Sequence, residues 1–277
     1  MIKDLVVNLM PGAERDPAAD YAISVATALD AHLAGVAFTY DPVIPSTVMG
    51  GGIPADLIEA QRAESMRAAR AATTRFEAAA KRASLSFDVR TLNASSAGAG
   101  DVFARVARRF DLSVVGQAPR ETTVLQDLII EGALFEAGRP VIVVPYIQKD
   151  ELKLERAMLC WDGSRAAARA IGDALPFLER AKRVEVVIVA GDRGKSDEMP
   201  GADMGEHLAR HGLNVTINRI PAGEIDVADA ILSYAADSSA DFVVMGGYGH
   251  SRLREFILGG VTRSMLASMT VPVLLSH

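Results

Sequence analysis

The chain has a single cysteine, Cys160, in 277 residues, so no disulfide can close within it. That scarcity fits a reducing compartment. No stretch approaches the roughly 18 uncharged apolar residues that a membrane-crossing helix needs, so no membrane partner is expected. The opening segment "MIKDLVVNLMPG" holds too short an apolar run for a secretory signal, which makes the cytoplasm the expected location. Basic residues are also in deficit: 29 Lys and Arg stand against 35 Asp and Glu, a formal charge of −6. A general nucleic-acid binder needs a basic face, so no nucleic-acid partner is expected either. Four chemical signatures are missing. No G-x-G-x-x-G follows a first strand and no G-x-x-x-x-G-K-[ST] occurs. No Ser/His/Asp arrangement has a nucleophile-elbow pattern, and nothing marks a dedicated general base for hydrolysis.

What is present is enough apolar material for full cores, 49% of residues with 23% charged, in a length that suggests about two domains. Short apolar runs alternate with longer amphipathic ones. Residues 5–10, 33–40, 85–92, 112–116 and 140–145 read as buried strands. Helical patterns lie between them, over Asp20–His32, Ala55–Ala83, Gly100–Arg109 and Thr123–Ala137. Strands separated by helices mean βαβ units and a parallel sheet, and strands buried on both faces should be continuously apolar, as most of these are.

The order then repeats. Residues 156–162, 183–191, 213–220, 241–247 and 271–276 form a second set of strands, with helices at Arg165–Arg180, Gly201–Arg210, Ile225–Ala236 and Gly259–Ala267. "DLSVVG" from Asp111 matches "DFVVMG" from Asp241, and "RPVIVVP" from Arg139 matches "VPVLLS" from Val271. A repeat of this size is a duplicated domain. Polar residues 146–155 separate the copies, giving expected domains of 1–147 and 154–277. The expected fold is two tandem open five-stranded parallel sheets with helices on both faces. Between its second and third strands the first copy also carries Gly50-Gly51-Gly52, a ligand loop or a flexible entry to its long helix.

The second copy carries a glycine constellation in "GGYGHSRLREFILGG". Gly246 closes a buried strand, Gly249 follows, and Gly259 and Gly260 open a helix. A helix N-terminus exposes unpaired N–H groups and a partial positive charge, which favour a phosphate. Glycine would let that phosphate come close. The carboxyl ends of strands are where open α/β sheets bind ligands. The spacing equally suits a plain turn followed by a tight helix entry.

Gly246, Gly249 and Gly259, in the pattern G-x-x-G, nine residues, G, then commonly Ser or Thr, resemble the nucleotide motif of universal stress proteins. "CWDGSRAAARAI" (160–171) is similar to that family's first strand, and "VPVLLS" to its last. Both halves follow the family's β/α order, so the chain resembles a tandem universal stress protein, with a flavodoxin-like sheet in each half. The resemblance implies ATP or ADP, with or without Mg2+, in the second half. It places adenine and ribose near Asp162 and Val189, with Met245, Gly246 and Gly249 lining the floor. Gly259, Gly260, Val261 and Thr262 would hold the phosphates. In one departure, Gly260 stands where the family has a hydroxyl. Thr262, in the first helical turn, is the nearest replacement. The first half lacks the apparatus: Met10 stands in place of Asp162, Pro119 in place of Gly249, and only Gly116 and Gly132 recur. It reads as a degenerate copy that supplies packing and a partner surface.

Other candidates are plainer. "DGS" before a helix is an ordinary turn with Ser164 as cap. His207 and His211 are four apart, a spacing that suits a metal pair or a solvated helix face. His250, Arg252 and Arg254 could reach a phosphate or keep a loop in water. Cys160 reads as packing. The leading expectation is therefore a stress-response regulator that binds an adenine nucleotide with little or no turnover. The alternatives are a scaffold without nucleotide, acting through dimerisation, and a slow ATPase. The halves are expected to pack as a pseudo-dimer and whole chains to pair, with the apolar runs at 139–145 and 271–276 as sheet-edge candidates.

Overall fold

The computed structural model describes residues 1–41, 54–117, 123–190, 201–221, 225–247 and 260–277. The chain divides into two compact units, Ile2–Arg139 and Pro140–His277.

In the first unit the elements run β1 (Asp4–Asn8), α1 (Pro17–Leu29), β2 (His32–Tyr40), α2 (Ala55–Arg82), β3 (Phe87–Ala94), α3 (Ala99–Ala107), β4 (Leu112–Gly116) and α4 (Thr123–Glu131). A π-helical turn, Gly132–Glu136, continues α4. The four strands lie in the order β3-β2-β1-β4, with every pair parallel. Leu5, Val6, Val7, Leu33, Val36, Leu112 and Val114 are buried, as continuous apolar strands covered on both faces should be. Gly132 packs against α3: a Cβ there would lie 2.4 Å from the Gly100 carbonyl oxygen. Its bareness serves a helix crossing.

In the second unit β5 (Val141–Val144) comes first. There follow β6 (Ala157–Cys160), α5 (Arg165–Leu178), β7 (Val184–Ala190), α6 (Ala202–Arg210), β8 (Val215–Pro221), α7 (Val227–Ser238), β9 (Phe242–Gly246), α8 (Gly260–Ser268) and β10 (Val273–Ser276). The order is β5-β10-β9-β6-β7-β8. β6 to β10 are mutually parallel. All ten expected strands are therefore present. The fifth strand of the first repeat, β5, groups with the second unit and runs antiparallel to β10, Val273 facing Val143 and Leu275 facing Val141. The two runs expected as sheet-edge candidates, 139–145 and 271–276, thus pair with each other: β10 is hydrogen-bonded on one side to β9 and on the other to β5. Two short apolar strands each satisfy the other's backbone groups, as buried edges require.

One device recurs in both units. Asp111 Oδ2 accepts the N–H groups of Lys3 (2.8 Å) and Asp4 (3.1 Å) at the start of β1. Asp241 Oδ2 accepts those of Glu155 (2.8 Å) and Arg156 (3.3 Å) at the start of β6. Each aspartate caps the amino end of the first strand from the residue preceding the fourth strand of its repeat. Among the described residues no helix is long and apolar enough to cross a membrane.

Candidate functional site

The second unit's order reverses at β6. The chain steps outward from β6 to β7 and β8, then returns to add β9 and β10 on the other flank. The loops leaving β6 and β9 therefore diverge, and such a switch point opens a crevice at the carboxyl ends of the strands. Asp162 follows β6 there, Met245 and Gly246 end β9, Val189 lies near the end of β7, and Gly260, Val261 and Thr262 begin α8. The fold brings these seven expected residues to one edge of one sheet. Gly249 and Gly259 lie outside the described residues, as do Pro119, the Gly50-Gly51-Gly52 run, His250, Arg252 and Arg254.

Local chemistry fixes the β6–α5 turn. Asp162 Oδ1 accepts the Ser164 N–H at 2.9 Å, and Ser164 Oγ accepts the Ala167 N–H at 3.1 Å, capping α5. Asp162 is exposed and retains acceptor capacity, because its second oxygen takes no part in the turn bond. Gly246 is where α5 meets the sheet. A Cβ there would stand 2.5 Å from Ala167 N and 2.7 Å from the Ala166 carbonyl carbon. The close backbone approach at this glycine is made by the protein's own helix. Met245 is buried and Val189 half-buried, paired with Ile220 of β8.

The start of α8 separates two positions. Gly260 is exposed, and a Cβ added there meets nothing within 4 Å. Thr262 is 4% exposed. The hydroxyl sits at the covered position and the open position has no side chain. Ser264 Oγ donates to Asp226 Oδ2 at 3.1 Å, tying α8 to the start of α7. Beyond β9, the Gly247 N–H donates to the Ser276 carbonyl at 2.8 Å, and its own carbonyl takes the His277 Nδ1 contact at 3.0 Å. Burial, joined by the nearby Asp162 carboxylate, pushes the Cys160 thiol up to about 12, so the thiolate that a nucleophile needs is not formed near neutrality.

The first unit's matching position is filled by its own side chains. Gly116 ends β4, and its Cβ position lies 2.9 Å from Met10 Sδ and 3.4 Å from Ala18 Cβ. Gln126 Nε2 donates to the Gly116 carbonyl at 2.7 Å. The loop after β1 is clamped by Asp16, which accepts from Met10 N at 2.8 Å and Ala19 N at 3.1 Å. Arg75 of α2 donates to the Ala13 carbonyl at 2.8 Å. Burial raises the Asp16 carboxyl above its ordinary value against these two backbone bonds. Sequence reasoning found Met10 as a lost ligand, but not Gln126, whose signal exists only through space.

His207 and His211 stack edge-to-face with ring centroids 4.9 Å apart on exposed α6. Among the described residues no group of three His, Cys, Asp or Glu could hold a metal. Sequence reasoning also passed over Trp161, at the end of β6 beside Asp162.

Comparison with known proteins gives the following. A family model described as the universal stress protein family matches residues 153–277. A universal stress protein of Synechocystis sp. is 24% identical over 171 residues, covering 60% of this chain and 57% of that relative. The chain thus spans little more than half the length of the curated relative it matches. The crystal structure of a universal stress protein from Archaeoglobus fulgidus is similar, with a TM-score of 0.72 and 15% identity over 99% of this chain and 96% of that one. A functionally unknown protein from Pseudomonas aeruginosa has a TM-score of 0.63 and 14% identity over 99% of this chain and 92% of that one. At these identities the structural likeness shows the fold.

Proposed function

We propose, for a chain that belongs through its second half to the universal stress protein family, that the second unit binds an adenine nucleotide, ATP or ADP, and that the protein regulates a stress response with little or no turnover. The observation that carries this is the contrast between the two switch points. In the first unit Met10 and Gln126 occupy the end of β4. In the second, Asp162 and Gly260 are both exposed at the same sheet edge. Asp162 can accept hydroxyl groups of a ribose, and the first N–H groups of α8 can face a phosphate past a residue with no side chain. Mg2+ would sit on the phosphates. Calorimetric titration of the full chain with ATP, with and without Mg2+, tests the reading. One site per chain is expected. No binding, or two sites, would refute it.

The second reading is a scaffold without nucleotide that acts by pairing with a second copy. It is favoured by one observation: the exposed start of α8 offers no hydroxyl, while Thr262 is covered. A dimeric mass by sedimentation together with no heat from ATP would establish it in place of the first. The cytoplasm is the location proposed for either.

A further inference from the structure

We propose that Trp161 is the base platform of the second unit's crevice, so that the site selects purine nucleotides over phosphate chains that carry no base. This rests on the nucleotide reading above and adds the residue that reads the base. Trp161 is the chain's one tryptophan. Its N–H donates to the Val187 carbonyl at 2.9 Å, which fixes its backbone to β7 just past the end of β6. Its Cδ1 lies 3.5 Å from the position a Cβ on Gly201 would take, and Ile188 Cδ1 lies 2.5 Å from that same point. The indole and Ile188 therefore both border Gly201 at the start of α6. Gly201 adopts φ +86 and is bare at the contact. The side chain is half-buried, and the next residue, Asp162, is exposed.

Three points favour a ligand contact over simple packing. First, the position is covered in the other unit: the residue matching Trp161 one step before Met10 is Leu9, which is 1% exposed. The same place in the repeat is closed where Met10 fills the crevice and left half-open where Asp162 stands. Second, the indole is at the carboxyl end of the strands, on the β6–β7 side, while the start of α8 is on the β9 side. An aromatic side chain on one flank and the amino end of a helix on the other match a ligand with a flat base at one end and phosphates at the other. Third, a partly wet aromatic face is suited to stacking on a base, and larger purines offer more overlap than pyrimidines.

The lone tryptophan makes the test direct. Stacking of a base on an aromatic side chain contributes about fivefold to a hundredfold in affinity. The full chain would be titrated with ATP, CTP and inorganic tripolyphosphate, by calorimetry and by intrinsic fluorescence. ATP is expected to change the emission and bind tighter than CTP, and tripolyphosphate to leave the emission unaltered. Trp161→Leu, which places in this unit the residue type found at Leu9, should lose ATP affinity by about fivefold to a hundredfold. It should keep tripolyphosphate affinity within about twofold. Trp161→Phe should recover most of the ATP affinity, and melting of each variant separates misfolding from lost contact. If Trp161→Leu binds ATP as the parent does, or if saturating ATP leaves the parent's emission unchanged, the platform is refuted while the nucleotide site stands. If the parent binds none of the three ligands, the nucleotide reading falls and the platform falls with it.

Discussion

Replacing Gly260 by serine should tighten nucleotide binding. Gly260 is the first residue of α8 and is exposed, and a Cβ there meets nothing within 4 Å. Its φ does not lie in the left-handed region, so an L side chain is accepted without strain. The substitution is sterically silent, which leaves ligand chemistry as the variable. A hydroxyl donating to a phosphate oxygen is a hydrogen bond to a charged group, worth about 1.5–3 kcal/mol. Ordering one serine rotamer takes back a few tenths of that. The expected result is a Kd for ATP lower by about tenfold to a hundredfold. Gly260→Ala is the control: it makes the same backbone change without the hydroxyl and should stay within about twofold of the parent. Both variants should melt at or slightly above the parent temperature, because a side chain here restricts the unfolded chain. Calorimetric titration of parent and both variants reads the effect. If serine and alanine bind ATP alike, no phosphate oxygen reaches the start of α8, and the reading of that helix start as the phosphate site is refuted.

Two further outcomes follow from the same contacts. Gly246→Ala would set a Cβ 2.5 Å from Ala167 N, forcing α5 off the sheet. Overpacking of this kind costs about 1–3 kcal/mol, so thermal melting should fall by several degrees without ligand; an unchanged melting temperature would show that α5 does not press on β9. Asp16 supplies a pH test. Burial raises its carboxyl above the ordinary aspartate value, so between the unfolded and folded values the folded state binds more protons than the unfolded one. Stability from this group is therefore greatest in acid and declines as pH rises through the folded value. Urea unfolding of parent and Asp16→Asn over mildly acidic pH should show the parent losing stability relative to the variant as pH rises, and parallel profiles would refute it.

The sequence made the elements legible and left their partners hidden. Apolar runs marked the central strands, since burial on both faces writes itself into composition, while the partly exposed β3 and β8 mix apolar with polar residues. The start of α1 was expected at Asp20 and lies at Pro17, where Asp16 accepts the Ala19 N–H as cap. An aspartate followed by proline at the first helical position is a readable start signal, so that shift was avoidable. Both β5 and β10 read as sheet edges, but their antiparallel pairing with each other was not readable, because an apolar strand carries no label for its neighbour. The same holds at the site. Asp162 and the glycines were visible as a linear pattern, whereas α5 against Gly246, Gln126 against Gly116, and Trp161 against Gly201 are contacts across the fold that no spacing encodes.

The paired aspartates at the strands' amino ends bear on how such a chain can diverge. Asp111 and Asp241 hold identical posts in the two repeats, each gathering two N–H groups at the entry of the sheet. At the exit of the same strands the repeats no longer agree, Met10 against Asp162 and Leu9 against Trp161. The contacts that start the sheet and the proposed nucleotide crevice thus lie at opposite ends of the five-residue β1 and the four-residue β6. A substitution at the exit can alter what is bound without disturbing the contacts that start the sheet. On the proposed nucleotide reading, a duplicated gene of this design can close one crevice and keep the other while both copies go on folding.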